Sequence, residues 1–217
     1  MTLQELIADI DTGLAGAANP AFNNPGAISD LFEVWIFCLV LRAAREEGFT
    51  VDFVDVGGNA VTTFVFRTSP GWVHGAHPYC HAVLSHPDAP GMELHHGVRV
   101  GGQSQTSHEC DVALLTDTAA VASRASGTDP TYAGLKLAVE CKFYASSLPL
   151  RLLREFMGLS LELGRRPTWI ATNSTHASLH AILRRHNLRW EDELEPNVSS
   201  ADRFRHEVRT LLDHVQR

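Results

Sequence analysis

Two short apolar segments carry charges at every second position, and this pattern limits what the chain can fold into. Val139-Glu140-Cys141-Lys142-Phe143 places Glu140 and Lys142 two residues apart, and His108-Glu109-Cys110-Asp111-Val112 does the same for Glu109 and Asp111. In an extended strand, alternate side chains share a face. The flanking runs, Val112-Ala113-Leu114-Leu115 and Leu137-Ala138-Val139, read as strands covered on both sides. Charges on such strands are costly unless they are paired, hydrated or bound to a metal. An Asp on one strand and a Glu-x-Lys on a later one therefore suggest a divalent cation held beside an ammonium group.

The rest of the chain reads as helices around these strands. Thr2 to Ala15 has Leu3, Leu6, Ile7 and Ile10 on one side of a short helix, and Asn19 to Gly26 is turn-rich. A strong helix runs from Ser29-Asp30 to about Glu47 and stops at Gly48. Thr50 to Val56, Val61 to Arg67 and Met92 to Val100 read as strands, and Tyr79 to Leu84 as extended. Thr118 to Tyr132 reads as a loop with a helical turn, and Leu135 to Phe143 as the Glu-x-Lys strand. Helices are expected at about Leu148 to Leu163, at Ser174 to His186 and from near Ser199, with a strand at Arg166 to Ala171. That order implies an α/β fold, a mixed central sheet flanked by helices. With no repeat or linker, residues 1–217 are expected to form one domain, with a core at about 29–172 and a helical segment after about 196.

Composition narrows the function classes. The chain has 217 residues, enough for a sizeable core, and its 44% hydrophobic content includes no run near the roughly 20 residues of a bilayer span. Cys38, Cys80, Cys110 and Cys141 form no Cys-x-x-Cys pair and the N-terminus shows no signal-peptide pattern, so a cytoplasmic protein with reduced thiols and no membrane partner is expected. A net charge of −7 argues against a generic polyanion binder, although counterion release is local to an interface. Of the 18 basic residues only Lys136 and Lys142 are lysine, so an Arg-rich chain retains lysine in the Glu-x-Lys position. There is no Gly-x-x-x-x-Gly-Lys loop for nucleotide hydrolysis and no Gly-x-Ser-x-Gly elbow.

A fourth ionisable group, Glu33, is embedded in Leu31-Phe32-Glu33-Val34-Trp35-Ile36-Phe37 and needs a partner there. With Asp111, Glu140 and Lys142 in this order, the chain resembles the PD-(D/E)XK, or restriction-endonuclease-like, nuclease superfamily. The likeness spans about Ser29 to Thr172, with Asp111 and Glu140 29 residues apart and Cys110 in place of the proline of the motif. The resemblance implies a restriction-endonuclease-like core and a Mg²⁺-dependent nuclease, with Mn²⁺ able to substitute. Its substrate would be nucleic acid, DNA in particular, in prokaryotic defence, restriction or DNA processing. Asp111, Glu140 and the backbone carbonyl of Cys141 would hold the ion. Lys142 would orient a water and stabilise the transition state, or act as base if its pKa is depressed. Glu33 would hold a metal-bound water or help a second ion, and Arg154 would contact phosphate. Cutting both strands would call for a homodimer or a larger complex.

Other readings start from the same residues. Glu109 competes with Asp111 as ligand, and Asp111 is preferred because the apolar run begins directly after it. Glu33 also fits as the partner of a core arginine. Arg151, Arg154, Arg165 and Arg166 also suit a solvated helix surface. A nuclease-fold subunit without catalysis, serving binding or assembly, fits the acidic balance. A zinc-stabilised binding protein would use His77-Pro78-Tyr79-Cys80-His81 and His108-Glu109-Cys110, with His95-His96 read as a strand-end pair rather than ligands.

Overall fold

The charged segments take up adjacent places in one sheet. The computed structural model describes residues 1–14, 28–145, 148–175 and 177–216. Its strands are β1 (Thr50–Asp55), β2 (Cys80–His86), β3 (Ala89–Gly101), β4 (Ser107–Thr116), β5 (Leu135–Lys142), β6 (Thr168–Thr172) and β7 (Arg189–Glu191). They lie side by side in chain order, antiparallel from β1 to β5 and parallel from β5 to β7. The helices are α1 (Leu3–Gly13), α2 (Ile28–Glu46), α3 (Asp117–Ser126), α4 (Leu150–Glu162), α5 (Ala177–Arg185) and α6 (Ser199–Gln216). This is an α/β architecture with a seven-stranded mixed sheet flanked by helices.

Burial sorts the helices into two layers. α2 is apolar almost all round, as a helix with neighbours on most sides must be, and packs with α1, α6 and one face of the sheet. Phe204, Val208 and Leu212, four residues apart on α6, enter the same cluster. β6 shows the alternation plainly: Trp169 and Ala171 join the α2 cluster, while Ile170 meets Leu153 and Phe156 of α4 and Leu179 and Leu183 of α5. α3 closes a third cluster through Ala120, over Ala113, Leu115 and Ala138.

Several expected elements differ. Thr118 to Tyr132 is not mainly loop: Thr116 caps the N-terminus of α3 by accepting from the Ala119 N–H, and Gly127 ends the helix in the left-handed conformation. Val61 to Arg67 forms no strand, only a single bridge residue at Thr63 with another bridge beside the segment, Val54 to Ala60; its Phe64 and Phe66 are drawn into the aromatic core instead. β7, with only three residues, was too short to carry a periodic signal. α1 keeps its expected start, where Thr2 and Glu5 form a capping box. The turn-rich stretch at 19–26 lies outside the described residues.

One glycine prepares the site. Between His96↔Val112 and Val98↔Cys110 the β3–β4 register passes Gly97 opposite Asp111, and Gly97 has φ +58°. A Cβ there meets only ordinary contacts, the nearest at 3.6 Å. Gly97→Ala is therefore expected to cost about 1–2 kcal/mol through the backbone alone, read as a lowered denaturation midpoint with an unchanged denaturant slope. A midpoint equal to wild type would show that this conformation is not required.

Candidate functional site

β4 and β5 run as a close ladder only as far as Val112↔Val139. Both strands continue, but beyond that pair they part, and Asp111 and Glu140 stand at the mouth of the gap. Glu33, Glu109, Asp111, Glu140 and Lys142 line one cleft of about 360 Å³, with His108 and with Glu155, Phe156 and Leu159 of α4. The four residues read as catalytic thus converge, although Glu33 comes from a helix far away in sequence.

The backbone of β5 explains how the gap is used. Ala138 turns its N–H to β6, donating to the Pro167 carbonyl at 2.9 Å, so Val139 and Cys141 face β4. The Cys141 N–H donates to Asp111 Oδ2 at 2.7 Å, replacing a ladder partner that the parting strands no longer supply. In an extended strand the N–H and C=O of one residue leave on the same edge. The Cys141 carbonyl therefore shares that edge with the Asp111 carboxylate. Its thiol packs on the other side, in the α2 cluster.

Lys142 binds the acidic groups together. Its Nζ lies 2.6 Å from Glu140 Oε1 and 3.7 Å from Asp111 Oδ2. Asp111 is buried, whereas Glu109 is exposed at the rim. Burial, then the charges of Glu140 and Glu33, pushes the Asp111 carboxyl well above the usual carboxylate range, with Lys142 and the Cys141 N–H opposing. Burial and the same two carboxylates raise Glu109. Burial disfavours the Lys142 ammonium, but Asp111 and Glu140 outweigh it and raise its pKa. A base role for Lys142, which would need a depressed pKa, is the opposite of this environment.

Glu33 is paired with a histidine rather than an arginine. His96 Nε2 comes within 3.5 Å of Glu33 Oε2 without forming a hydrogen bond. His95 and His96 are not a strand-end pair, since both lie within β3 and are buried. Arg154 is exposed and is not among the lining residues; α4 turns Glu155 and Leu159, one turn apart, towards the cleft, and Arg151 pairs with Glu155 at 3.4 Å. Arg165 and Arg166 lie beyond α4, where they line a separate cleft of about 230 Å³ with His186 and Arg189.

The donors suit a hard cation. Two carboxylates and a carbonyl edge supply the oxygens that Mg²⁺ prefers, and five carboxylates around one lysine leave negative charge to be matched. The cysteines give no comparable set for zinc. Cys38, Cys80, Cys110 and Cys141 are all buried and free, and burial pushes every thiol above its ordinary range. Cys110 packs among Val98 and Val100, and His108 approaches Glu162 at 3.4 Å. Among the described residues, the one group of three metal-ligating side chains is His81, Glu93 and His95.

No protein-family model, curated protein or solved structure matches this chain. Among the described residues no helix is long and apolar enough to cross a membrane.

Proposed function

We propose that this chain is a Mg²⁺-dependent nuclease that hydrolyses phosphodiester bonds in DNA, built on a restriction-endonuclease-like core. The observation that carries the reading is the Asp111–Lys142–Glu140 cluster, set where β4 and β5 part, with the Cys141 carbonyl edge and Glu33 at the same cleft. Asp111, Glu140 and the Cys141 carbonyl would hold the ion. When bound, Mg²⁺ supplies a water of lowered pKa and neutralises charge developing on the phosphate. Lys142 remains protonated and stabilises the phosphoryl oxygens as charge grows on them. Glu33, partly exposed and held near His96, orients water at the cleft. The oxygen of the attacking water forms a new P–O bond and gives up its proton to bulk solvent, while the bond to the leaving oxygen breaks and that oxygen gains a proton from solvent.

Cutting both strands of a duplex calls for two such clefts, hence a homodimer or a larger assembly. A cytoplasmic role in prokaryotic defence, restriction or DNA processing belongs to this reading through the superfamily resemblance. The test is cleavage of supercoiled plasmid, linear duplex, single-stranded DNA and RNA with Mg²⁺, with Mn²⁺ and with EDTA. Cleavage of DNA with either ion and none with EDTA is the expected result. Cleavage confined to RNA would overturn the substrate, and EDTA-resistant cleavage would overturn the mechanism.

A further inference from the structure

Beneath α3, away from the parted strands, three buried polar side chains converge on one oxygen. Glu93 and His95 stand two residues apart on β3, opposite Leu115 and Ala113 of β4, and His81 comes from β2. Each is no more than 3% exposed. Arg124 of α3 holds both oxygens of the Glu93 carboxylate, with Nη1 donating to Oε2 at 2.9 Å and Nη2 to Oε1. One guanidinium thus already matches the charge of Glu93.

The two imidazoles are left to explain. His95 Nε2 lies 2.9 Å and His81 Nε2 3.4 Å from the same Glu93 Oε2, and the rings stack with centroids 4.7 Å apart. A carboxylate oxygen has two good acceptor directions, and Arg124 uses one. Two imidazole Nε2 atoms therefore compete for the other, each ring's role as donor or acceptor there being set by its tautomer. A cation at the junction removes that competition, because it takes lone pairs from both Nε2 atoms and from Oε2.

The spacing suits a small ion. Zinc bonds of about 2.0–2.1 Å in a tetrahedron put neighbouring donors about 3.3 Å apart. The two Nε2–Oε2 distances, 2.9 and 3.4 Å, lie within a few tenths of an ångström of that, and all three donor atoms lie within 4.8 Å of one another. Two imidazoles and one carboxylate favour Zn²⁺, whereas Mg²⁺ takes oxygen. Arg124, donating to Oε1 and to the ligating Oε2, would orient the carboxylate from outside the coordination shell.

We propose that His81, Glu93 and His95 form a zinc site, distinct from the acidic cleft, that ties β2 to β3 under α3. Three protein donors leave the fourth position of the tetrahedron to a water, and near-complete burial keeps larger molecules from it. Both Nδ1 atoms are buried without a partner. The rings thus lack the outer hydrogen bonds that support most ligating histidines, so affinity falls roughly 10- to 100-fold below a fully supported site.

The test uses the full chain, stripped with a chelator and then offered Zn²⁺ in excess Mg²⁺. One equivalent of Zn²⁺ is expected to bind, to survive in an Asp111→Asn, Glu140→Gln chain, and to be lost in His81→Gln and in His95→Gln. Co²⁺ in the wild-type chain should give visible bands of a tetrahedral nitrogen and oxygen site without thiolate charge transfer, a readout that needs no variant to fold. Substoichiometric Zn²⁺ uptake by the wild type overturns the proposal, as does uptake that persists in both histidine variants. Uptake lost with Asp111 and Glu140 would assign the ion to the acidic cleft, and a thiolate band would assign it to cysteine.

Discussion

For the proposed nuclease, Lys142→Ala is expected to lower Mg²⁺-dependent cleavage by about 10²–10³-fold, the range for removing one preorganised stabiliser of transition-state charge. The same substitution has a separate effect on the metal-free fold. Among the described residues Lys142 is the only lysine or arginine side chain lining the cleft, within 2.6 Å of Glu140 and 3.7 Å of Asp111. Without it, the two carboxylates face each other largely out of water. Removing one partner of a buried pair costs about 3–5 kcal/mol, and the 23% exposure of the Lys142 side chain brings the expectation to about 2–3 kcal/mol. Mg²⁺ should recover much of that stability and little of the rate, because an ion replaces the missing charge but not the ammonium that the proposed mechanism sets against phosphate. Thermal melts with and without Mg²⁺, set beside single-turnover rates, separate the two effects. Wild-type rates in the variant would place the chemistry elsewhere.

Asp111→Asn should act in the opposite sense on stability. The Asn oxygen can still accept from the Cys141 N–H, while a buried charge disappears. The metal-free variant is expected to gain about 1–2 kcal/mol over wild type near neutral pH and to lose both the Mg²⁺ thermal shift and cleavage. The sign follows from the raised pKa. An Asp whose folded pKa exceeds its ordinary value of 3.8 favours folding when protonated, so wild-type stability falls as pH rises above 3.8 towards the folded value. The gap between variant and wild type should therefore be widest near neutral pH and close towards pH 4. A variant less stable than wild type at neutral pH would mean that the Asp111 charge is compensated more fully than its surroundings indicate. Sites that hold such a charge trade stability for function.

Much of this was legible because short-range rules carried it. Glu140 and Lys142 share a face by the two-residue period of a strand. The long apolar run of α2 reads as a buried helix, and the 3.6-residue period of α6 shows in Phe204, Val208 and Leu212. The β4–β5 adjacency was read from order and composition. α3 was missed because Ala, Ser and Thr dominate it, giving little apolar periodicity, although Thr116 and Gly127 mark its ends.

What the sequence alone determined was which residues alternate, where helices cap and which charges sit in apolar surroundings, since each depends on neighbours within a turn or two. The tertiary structure decided the rest. It parted β4 from β5 at Asp111, brought Glu33 to His96, turned Lys142 into a raised-pKa cation and gathered His81, Glu93, His95 and Arg124 from β2, β3 and α3. Those pairings join residues 31 to 63 positions apart where they involve Arg124 and Glu93 or Glu33 and His96. Sheet register and burial set such distances and the local dielectric, and neither is encoded in any short window of sequence.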